Sequence, residues 1–278
     1  MSGSLTVVGT GIKSIAHLTS EARIAISNSD KLLFLVADFL TQDWLRKANP
    51  TAEDLHCFYS DRKPREETYR DMSSHIMRFV REGKSVCAAF YGHPGVFAAP
   101  THMAIKQARE EGFKAQMLPG ISAEDCLFAE LGIDPARTGC QSFETTDFLL
   151  YKRKFDPCCS LILWQVGVIG NFDYRDRGYD TSGIPTLVNH LKQFYPSDHE
   201  VTLFEAATYN VCESSVEKMA LGGLSSARLT SSSTLYISPV RRLVSADRGM
   251  LDALRVPPEF VKMVKGESPT QNWPAKDR

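Results

Sequence analysis

Hydrophobic runs and amphipathic segments alternate along the first half of the chain. The apolar runs have the length and the β-branched content of buried strands, and they span residues 4–8, 31–37, 85–91 and 113–118. The segments between them have helical spacing, and helices are predicted over residues 19–27 (with Thr19 as the N-cap), 64–82, 101–111 and 122–131. This alternation predicts an α/β fold with a mainly parallel sheet covered by helices on both faces.

The second half has a less regular pattern. Strands are predicted at residues 161–166, 201–206 and 234–238, with a helix at about 184–195. Residues 135–158 contain basic residues and glycine, and we interpret them as a connection between two α/β units. The sequence therefore predicts two α/β subdomains, residues 1–120 and 121–250, followed by a polar C-terminal tail, residues 251–278.

Three of the predicted strands end in turns with little side-chain bulk. These turns are Gly9-Thr10-Gly11, Gly92-His93-Pro94-Gly95 and Pro119-Gly120. The first has Ser14 where a dinucleotide fingerprint requires its third glycine, and neither of the first two continues as Gly-Lys-Ser/Thr. Parallel sheets bind ligands at the carboxyl ends of their strands. The turns are therefore either simple tight turns or the floor of a cleft for a flat, uncharged or zwitterionic cofactor.

Composition excludes several classes of protein. The 278 residues are 43% hydrophobic and 23% charged with a net charge of −1, so there is no basic excess for coating nucleic acid. The seven cysteines contain no C-x-x-C pair, which fits a reducing compartment and argues against a metal site. No signal-like or membrane-length apolar run is present. We expect a cytoplasmic protein that binds no metal, nucleic acid or membrane.

An arginine and two tyrosines stand out near the start of the helix predicted over residues 64–82. Arg65 and Tyr69 are four residues apart and share one helix face, and Tyr59 precedes the helix by a short loop. On spacing alone this is either a surface arginine stacked on a tyrosine or the polar end of a cavity.

Five motifs, in order along residues 4–244, carry a family resemblance: VGTG, YGHPGVF, LPGISAEDCLFAELGIDP, LWQVG and FEAAT. Together they resemble the tetrapyrrole-methylase superfamily of S-adenosylmethionine (SAM) enzymes. Within it, they are most similar to the borosin peptide α-N-methyltransferases, which methylate backbone amides of a ribosomal precursor peptide. Most tetrapyrrole-methylating relatives have a GDP turn where this chain has Gly92-His93-Pro94.

The resemblance implies a cofactor cleft between the two subdomains that binds SAM and releases S-adenosylhomocysteine. It implies these cofactor contacts: Tyr91, His93, Val96, Phe97, Ser122, Ala123, Gln165, Ala206, Ala207, Ser233 and Thr234. For His93 we favour a structural role in which it hydrogen-bonds its own loop. Glu205 is a further pocket candidate, and His56 stands where fused members of the family often carry another tyrosine.

The resemblance also implies a catalytic group of Tyr59, Arg65, Tyr69 and Tyr91. In this hypothesis Arg65 favours ionised tyrosine and developing negative charge on the amide, and Tyr59 or Tyr69 takes part in proton removal. Tyr91 positions the methyl donor and the amide.

The substrate expected from the resemblance is a separate precursor peptide, because the printed sequence ends in GESPTQNWPAKDR without a Val/Ile/Gly-rich core. A homodimer is expected on the same basis. The alternatives are C- or O-methylation of a small molecule such as a tetrapyrrole intermediate, a SAM-binding module without catalysis, and a nucleic-acid methyltransferase. The tyrosine and arginine group and the missing GDP turn argue against the first alternative, and the near-zero net charge gives no support to the last.

Overall fold

Two five-stranded sheets make up the structure, a computed structural model that describes residues 3–240 and 247–257. The first sheet is entirely parallel and has the strand order β3-β2-β4-β1-β5. Its strands are β1 (Ser4–Gly9), β2 (Lys31–Leu35), β3 (Glu53–Asp54), β4 (Ser85–Phe90) and β5 (Lys114–Leu118). The four strands predicted in this half are confirmed, and β3 is a short addition at the edge.

Helices cover both faces of the first sheet. They are α1 (Ser20–Asn28), α2 (Phe39–Ala48), α3 (Arg65–Arg81) and α4 (Ala99–Glu110). Successive strand residues point to opposite faces. Val8 and Phe34 therefore pack in the core formed with α1 and α2, whereas Val7 and Leu33 pack in the core formed with α3 and α4. Burial on both faces explains why these strands are continuous apolar runs.

The long helix α3 carries the residues that the sequence analysis singled out. Pro64 is its N-cap, so the helix begins one residue later than the predicted range of 64–82. Glu66 and Glu67 lie in the first turn and Arg78 and Arg81 in the last, an arrangement that complements the helix dipole. The buried face of the helix is anchored in the core between α3, α4 and the sheet.

The second sheet is mixed, with the strand order β6-β7-β10-β8-β9. Its strands are β6 (Cys140–Glu144), β7 (Ser160–Trp164), β8 (Glu200–Glu205), β9 (Ser215–Ala220) and β10 (Thr234–Ile237). Strands β6 and β7 pair in parallel, and the other neighbouring pairs of this sheet are antiparallel. Residues 135–158 are more than a connection, because they contain β6 and the helices α6 (Pro135–Thr138) and α7 (Thr145–Leu150). The sequence did not reveal β9, whose side chains are almost all exposed.

Helices α5 (Ala123–Leu131) and α8 (Ile184–Leu191) pack on opposite faces of this second sheet. The subdomain boundary predicted at residue 120 lies in the segment between β5 and β6. Helix α9 (Arg248–Ala253) spans the predicted start of the tail, and the tail beyond residue 257 lies outside the described residues. None of the helices in the described part of the chain is both long and apolar enough to cross a bilayer.

The three glycine turns lie together at the carboxyl ends of strands β4, β1 and β5. Strands β4, β1 and β5 are neighbours and parallel, so their carboxyl ends lie side by side. A Cβ atom on Gly9 would lie 2.3 Å from the carbonyl oxygen of Gly92, and one on Gly120 would lie 2.8 Å from the same oxygen. The N–H groups of Gly11 and Gly92 each donate to the other's carbonyl, at 3.2 and 3.0 Å. The turns therefore form a floor of bare backbone that admits no side chain.

We predict that Gly9→Ala destabilises the protein by about 2 kcal/mol, because the new methyl group overlaps a backbone oxygen that cannot move without displacing the neighbouring turn. Gly223→Ala is the matched control, since a Cβ there meets no atom within 4 Å. Its free energy of unfolding should stay within about 0.5 kcal/mol of the parent. Urea unfolding measures both, and equal stabilities for the two variants would contradict the close contact.

Candidate active site

The loop after β4 offers backbone and two apolar side chains to the cleft. The Nδ1 atom of His93 accepts the N–H of Gly95 at 2.9 Å, so the predicted loop-bonding role of His93 is confirmed. Phe97 has a φ of 51°, a left-handed conformation that is rare for an aromatic residue. Its side chain is 51% exposed and that of Val96 is 37% exposed. The loop thus displays both side chains instead of burying them.

The start of α5 forms the next part of the wall. Ser122 is the N-cap in a capping box: its Oγ accepts the N–H of Asp125 and donates to Asp125 Oδ2 at 2.8 Å. The backbone N–H of Ser122 donates to the same Oδ2 at 2.7 Å. The polar groups of Ser122 are therefore engaged by its own helix. The donors left for a ligand are the first-turn N–H groups, beginning with Ala123.

The remaining predicted cofactor residues lie at one end of the second sheet. Strand β10 runs antiparallel to β7 and β8, so its first residues, Ser233 and Thr234, lie beside the residues that follow the other two strands. Gln165 follows β7 in a left-handed conformation with φ of 57°. Ala206 and Ala207 follow β8.

Glu205 fixes this end of the sheet. Its Oε1 atom accepts the hydroxyls of Thr230 and Ser233, each at 2.6 Å. The carbonyl of Ser233 accepts the N–H of Val166 at 3.1 Å, which ties the turn to the end of β7. Glu205 and the Ser233 hydroxyl therefore hold the loop before β10 in place, a structural role that the sequence analysis did not assign.

A cavity of about 250 Å³ joins residues from both halves of the chain. The predicted catalytic residues Tyr59, Arg65 and Tyr69 line it together with the predicted cofactor residue Gln165. The other lining residues are His56, Val168, Tyr174, Tyr179 and Ser231. The structure thus brings three of the four predicted catalytic side chains to one small cavity.

Tyr59 and Tyr69 form a coupled pair in this cavity. Burial raises the pKa of Tyr59, and its hydrogen bond to Tyr69 raises it further, while the charge of Arg65 acts in the opposite direction. Burial also raises the pKa of Tyr69, but Arg65 and the hydrogen bond with Tyr59 both lower it. The interaction within the pair therefore favours the anion of Tyr69 over that of Tyr59. Tyr69 is therefore the tyrosine of the pair that ionises more readily.

A loop of the second half, residues 171–180, lies across the segment that leads into α3; we call this loop the strap. Backbone hydrogen bonds join Arg62 N to Tyr174 O at 2.8 Å, Tyr174 N to Lys63 O at 3.0 Å and Arg65 N to Phe172 O at 3.1 Å. These bonds are a short antiparallel pairing between the two halves of the chain.

Two aromatic residues of the strap complete the cavity, and sequence reasoning missed both. The ring of Tyr174 packs against that of Tyr59 with centroids 4.7 Å apart. The guanidinium carbon of Arg65 lies 5.2 Å from the ring centre of Tyr179, within the range of a cation–π contact. The available signal was the recurrence of aromatic and charged residues in "FDYRDRGYD", which has no helix or strand periodicity.

Tyr91, the fourth predicted catalytic residue, is placed differently. It follows β4, and its N–H donates to the carbonyl of Leu35 at 3.1 Å. Partial burial, followed by nearby Cys126 and Asp38, raises the pKa of Tyr91 to about 12. Tyr91 is 44% exposed and is not among the residues that line the cavity. It therefore lies on the glycine-floor side of the site, and its catalytic role stays a prediction.

Trp164 contacts both the loop after β4 and the start of α5. Its ring centre lies 5.6 Å from that of Phe97, and it packs in the cluster that contains Ala123 and Ala206. The indole is 6% exposed, and its Nε1 atom is buried without a hydrogen-bond acceptor among the described residues. The indole therefore packs as a buried ring between Phe97 and the cluster at the start of α5.

Comparison with known proteins gives consistent results. Residues 4–222 match the family model described as tetrapyrrole (corrin/porphyrin) methylases. A protein of Anomoporia bombycina, named methyltransferase/ribosomally synthesized type III borosin cyclic peptide precursor, is 42% identical over 85% of this chain. A type I borosin precursor with the same kind of name, from Coprinopsis marcescibilis, is 41% identical over 91% of this chain. The chain spans 28% of the first relative's length and 67% of the second's.

A solved structure supports the fold. The uroporphyrin-III-C-methyltransferase from Thermus thermophilus matches with a TM-score of 0.61 at 18% sequence identity. The match covers 90% of this chain and all of that one. At this identity the similarity concerns the arrangement of the two α/β units.

We predict that Tyr59→Phe raises the pKa of Tyr69, because it removes a hydrogen bond that favours the Tyr69 anion. Arg65→Gln should also raise the pKa of Tyr69, because it removes the nearby positive charge. NMR of Cζ-labelled tyrosine through alkaline pH measures the change. Tyr151→Phe, at an exposed tyrosine, is the control and should leave Tyr69 unchanged; a lower Tyr69 pKa in either test variant would contradict the effects assigned to Tyr59 and Arg65.

Proposed function

The chain belongs to the tetrapyrrole methylase family and is related to borosin-type methyltransferases, and from this we propose that it transfers methyl groups from SAM to backbone amide nitrogens of a peptide. The observation that carries the proposal is the cavity that contains Tyr59, Arg65, Tyr69 and Gln165. It is small, rich in aromatic hydroxyls, and lined by Gln165, a residue that the resemblance assigns to the cofactor.

The residues of the cleft fit SAM. The turns at Gly9, Gly92 and Gly120 pack on one another and present main-chain atoms at the carboxyl ends of the strands, where parallel sheets bind ligands. The first-turn N–H groups of α5 suit a carboxylate. The displayed Phe97 ring suits a flat heterocycle. When bound, SAM supplies an electrophilic methyl group.

An amide nitrogen needs help to accept that methyl group. Its lone pair is delocalised into the carbonyl, so the nitrogen is a poor nucleophile until its proton leaves or its carbonyl takes up negative charge. Arg65 stabilises negative charge on an amide oxygen held in the cavity. Tyr69, whose pKa is lowered by the charge of Arg65 and by its hydrogen bond with Tyr59, is the better placed of the two tyrosines to receive the amide proton.

The supply of the peptide and the assembly of the enzyme are further parts of the proposal. The names of the relatives combine methyltransferase and precursor in one protein, so a separate precursor peptide stays a prediction, and so does a homodimer. Co-expression of the chain with the short peptide encoded beside its gene, followed by tandem mass spectrometry of both, distinguishes a separate peptide substrate from a fused one. Methyl increments on amides of the separate peptide support supply in trans, and increments on the chain itself support a fused substrate.

If the Tyr69→Phe variant adds no methyl groups to the amides, the activity depends on the cavity that Tyr69 lines. If SAM binds but neither polypeptide gains methyl groups, the proposal of peptide methylation is wrong. A screen of tetrapyrrole acceptors would then test the small-molecule alternative.

We predict that Arg65→Lys lowers the rate of methyl transfer by about 10²-fold, because lysine lacks the planar group that stacks on Tyr179 and faces the tyrosine pair. The dissociation constant for SAM, measured by calorimetry, should change less than about threefold, since Arg65 lies outside the glycine floor. Arg70→Lys, on the exposed face of the same helix, is the control and should keep parental activity. Unchanged turnover in Arg65→Lys would remove this residue from the mechanism.

A further inference from the structure

The cavity wall contains a histidine–carboxylate pair that the roles assigned so far leave unused. His56 lies in a short 3-10 helix, Leu55–Phe58, whose N-cap is Asp54. Asp54 Oδ1 binds the Nδ1 atom of His56 at 2.8 Å and also accepts the backbone N–H of His56 at 2.9 Å. The imidazole is therefore held by one carboxylate oxygen while the residue lines the cavity with Tyr59, Arg65 and Tyr69.

This geometry fixes the tautomer of the ring. An ionised carboxylate only accepts hydrogen bonds, so Nδ1 of His56 carries a proton, and in the neutral ring Nε2 then has the lone pair. Arg46 lies 3.8 Å from the other oxygen of Asp54 and supplies the opposite charge. Within residues 3–240 and 247–257, no hydrogen bond engages Nε2. A histidine with one nitrogen held by a carboxylate and the other available is the arrangement used for proton transfer in catalytic triads.

The proposed reaction needs such a group. Each methyl transfer releases one proton from an amide nitrogen into the cavity, and the side chain of His56 in the cavity wall is 40% exposed to solvent. Burial raises the pKa values of both Tyr59 and Tyr69, so these hydroxyls hold their protons at neutral pH. They can pass a proton along, but neither can store it. Histidine is the side chain suited to take up a proton near neutral pH.

We propose that His56 is the terminal proton acceptor of the methyl transfer, an inference that rests on the proposed function. The amide N–H bond breaks and its electron pair forms the new N–CH₃ bond, while the S–CH₃ bond breaks and its pair stays on sulfur, which becomes a neutral thioether. The released proton reaches Nε2 of His56 by way of the tyrosine hydroxyls; the Tyr59 ring lies 6.2 Å from the imidazole. The positive charge lost from sulfur reappears as imidazolium paired with Asp54.

The chain offers a matched control for this role. His75 binds Glu53 Oε1 through Nε2 at 2.6 Å, so it is also a histidine paired with a carboxylate. It packs between the rings of Phe58 and Phe79 and does not line the cavity. A role that depends only on a histidine–carboxylate pair would be shared by both residues, whereas a role in proton transfer belongs to His56.

The first test measures methyl transfer at neutral pH with SAM and the peptide that the parent enzyme methylates. His56→Ala should lower the rate by about 10²-fold, the usual scale of general-base catalysis, and free imidazole should restore part of it. His75→Gln should keep parental activity and show no response to imidazole. The dissociation constant for SAM and the thermal midpoint are measured for each variant. Parental values would show that the cofactor site and the fold are intact. A His56→Ala variant with parental rate, or one that imidazole does not rescue, would overturn the proposal.

The second test does not depend on activity. NMR of ¹⁵N-labelled histidine should show His56 protonated on Nδ1 alone, and Asp54→Asn should shift the population toward the Nε2-protonated tautomer. A parent enzyme whose His56 carries its proton on Nε2 would overturn the inference even if methylation occurs. A parent enzyme that binds SAM but methylates no peptide would overturn the proposed function instead, so the two failures are distinguishable.

Discussion

The cavity depends on the main-chain pairing between the strap and the segment before α3. Three backbone hydrogen bonds join residues 62–65 to residues 172–174 and connect the two α/β units beside Tyr59, Arg65 and Tyr69. Because of this pairing Tyr174 packs on Tyr59 and Tyr179 stacks on Arg65. Without it, the tyrosine pair would face solvent on one side. The electrostatic effects described above would then weaken, since a charge acts far more strongly in a buried site than in water.

One part of the site is formed by backbone atoms and the other by side chains. On the side proposed for the cofactor, the packing of Gly9 and Gly120 against the carbonyl of Gly92 leaves no room for a side chain at either position, so the surface is defined by main-chain atoms that cannot change rotamer. On the side proposed for the peptide, the wall is rich in polar side chains: four tyrosines, an arginine and a histidine. This division fits a reaction in which one partner is always the same molecule and the other presents successive amides. Gln165, in a left-handed turn at the end of β7, belongs to both sides.

Local signals explain which parts could be predicted from the sequence. The strands of the first sheet are buried on both faces, so each is an uninterrupted apolar run that ends in glycine, and helix α3 places Arg65 and Tyr69 together through its own periodicity. The strap has neither feature. Tyr174 and Tyr179 reach the cavity only through backbone pairing with residues more than a hundred positions earlier, and no local pattern encodes that pairing. Strand β6 was hidden for a similar reason, because its edge position leaves its side chains only partly buried.

The typical sizes of general-base catalysis and of reactant ordering indicate how this site would accelerate the reaction. Burial raises the pKa of Tyr59, Tyr69 and Tyr91 alike, with the charge of Arg65 only partly opposing it in the first two. The site therefore does not contain a strong resting base, and general-base catalysis typically contributes only 10²- to 10⁴-fold. Ordering two reactants can contribute roughly 7–11 kcal/mol, which is a larger effect. A floor of close-packed glycine backbone and a small cavity lined by packed aromatic rings suit that second role. Methyl transfer in this protein would then rest mainly on alignment of the amide with the methyl donor, with the polar side chains guiding the proton away once the new bond forms.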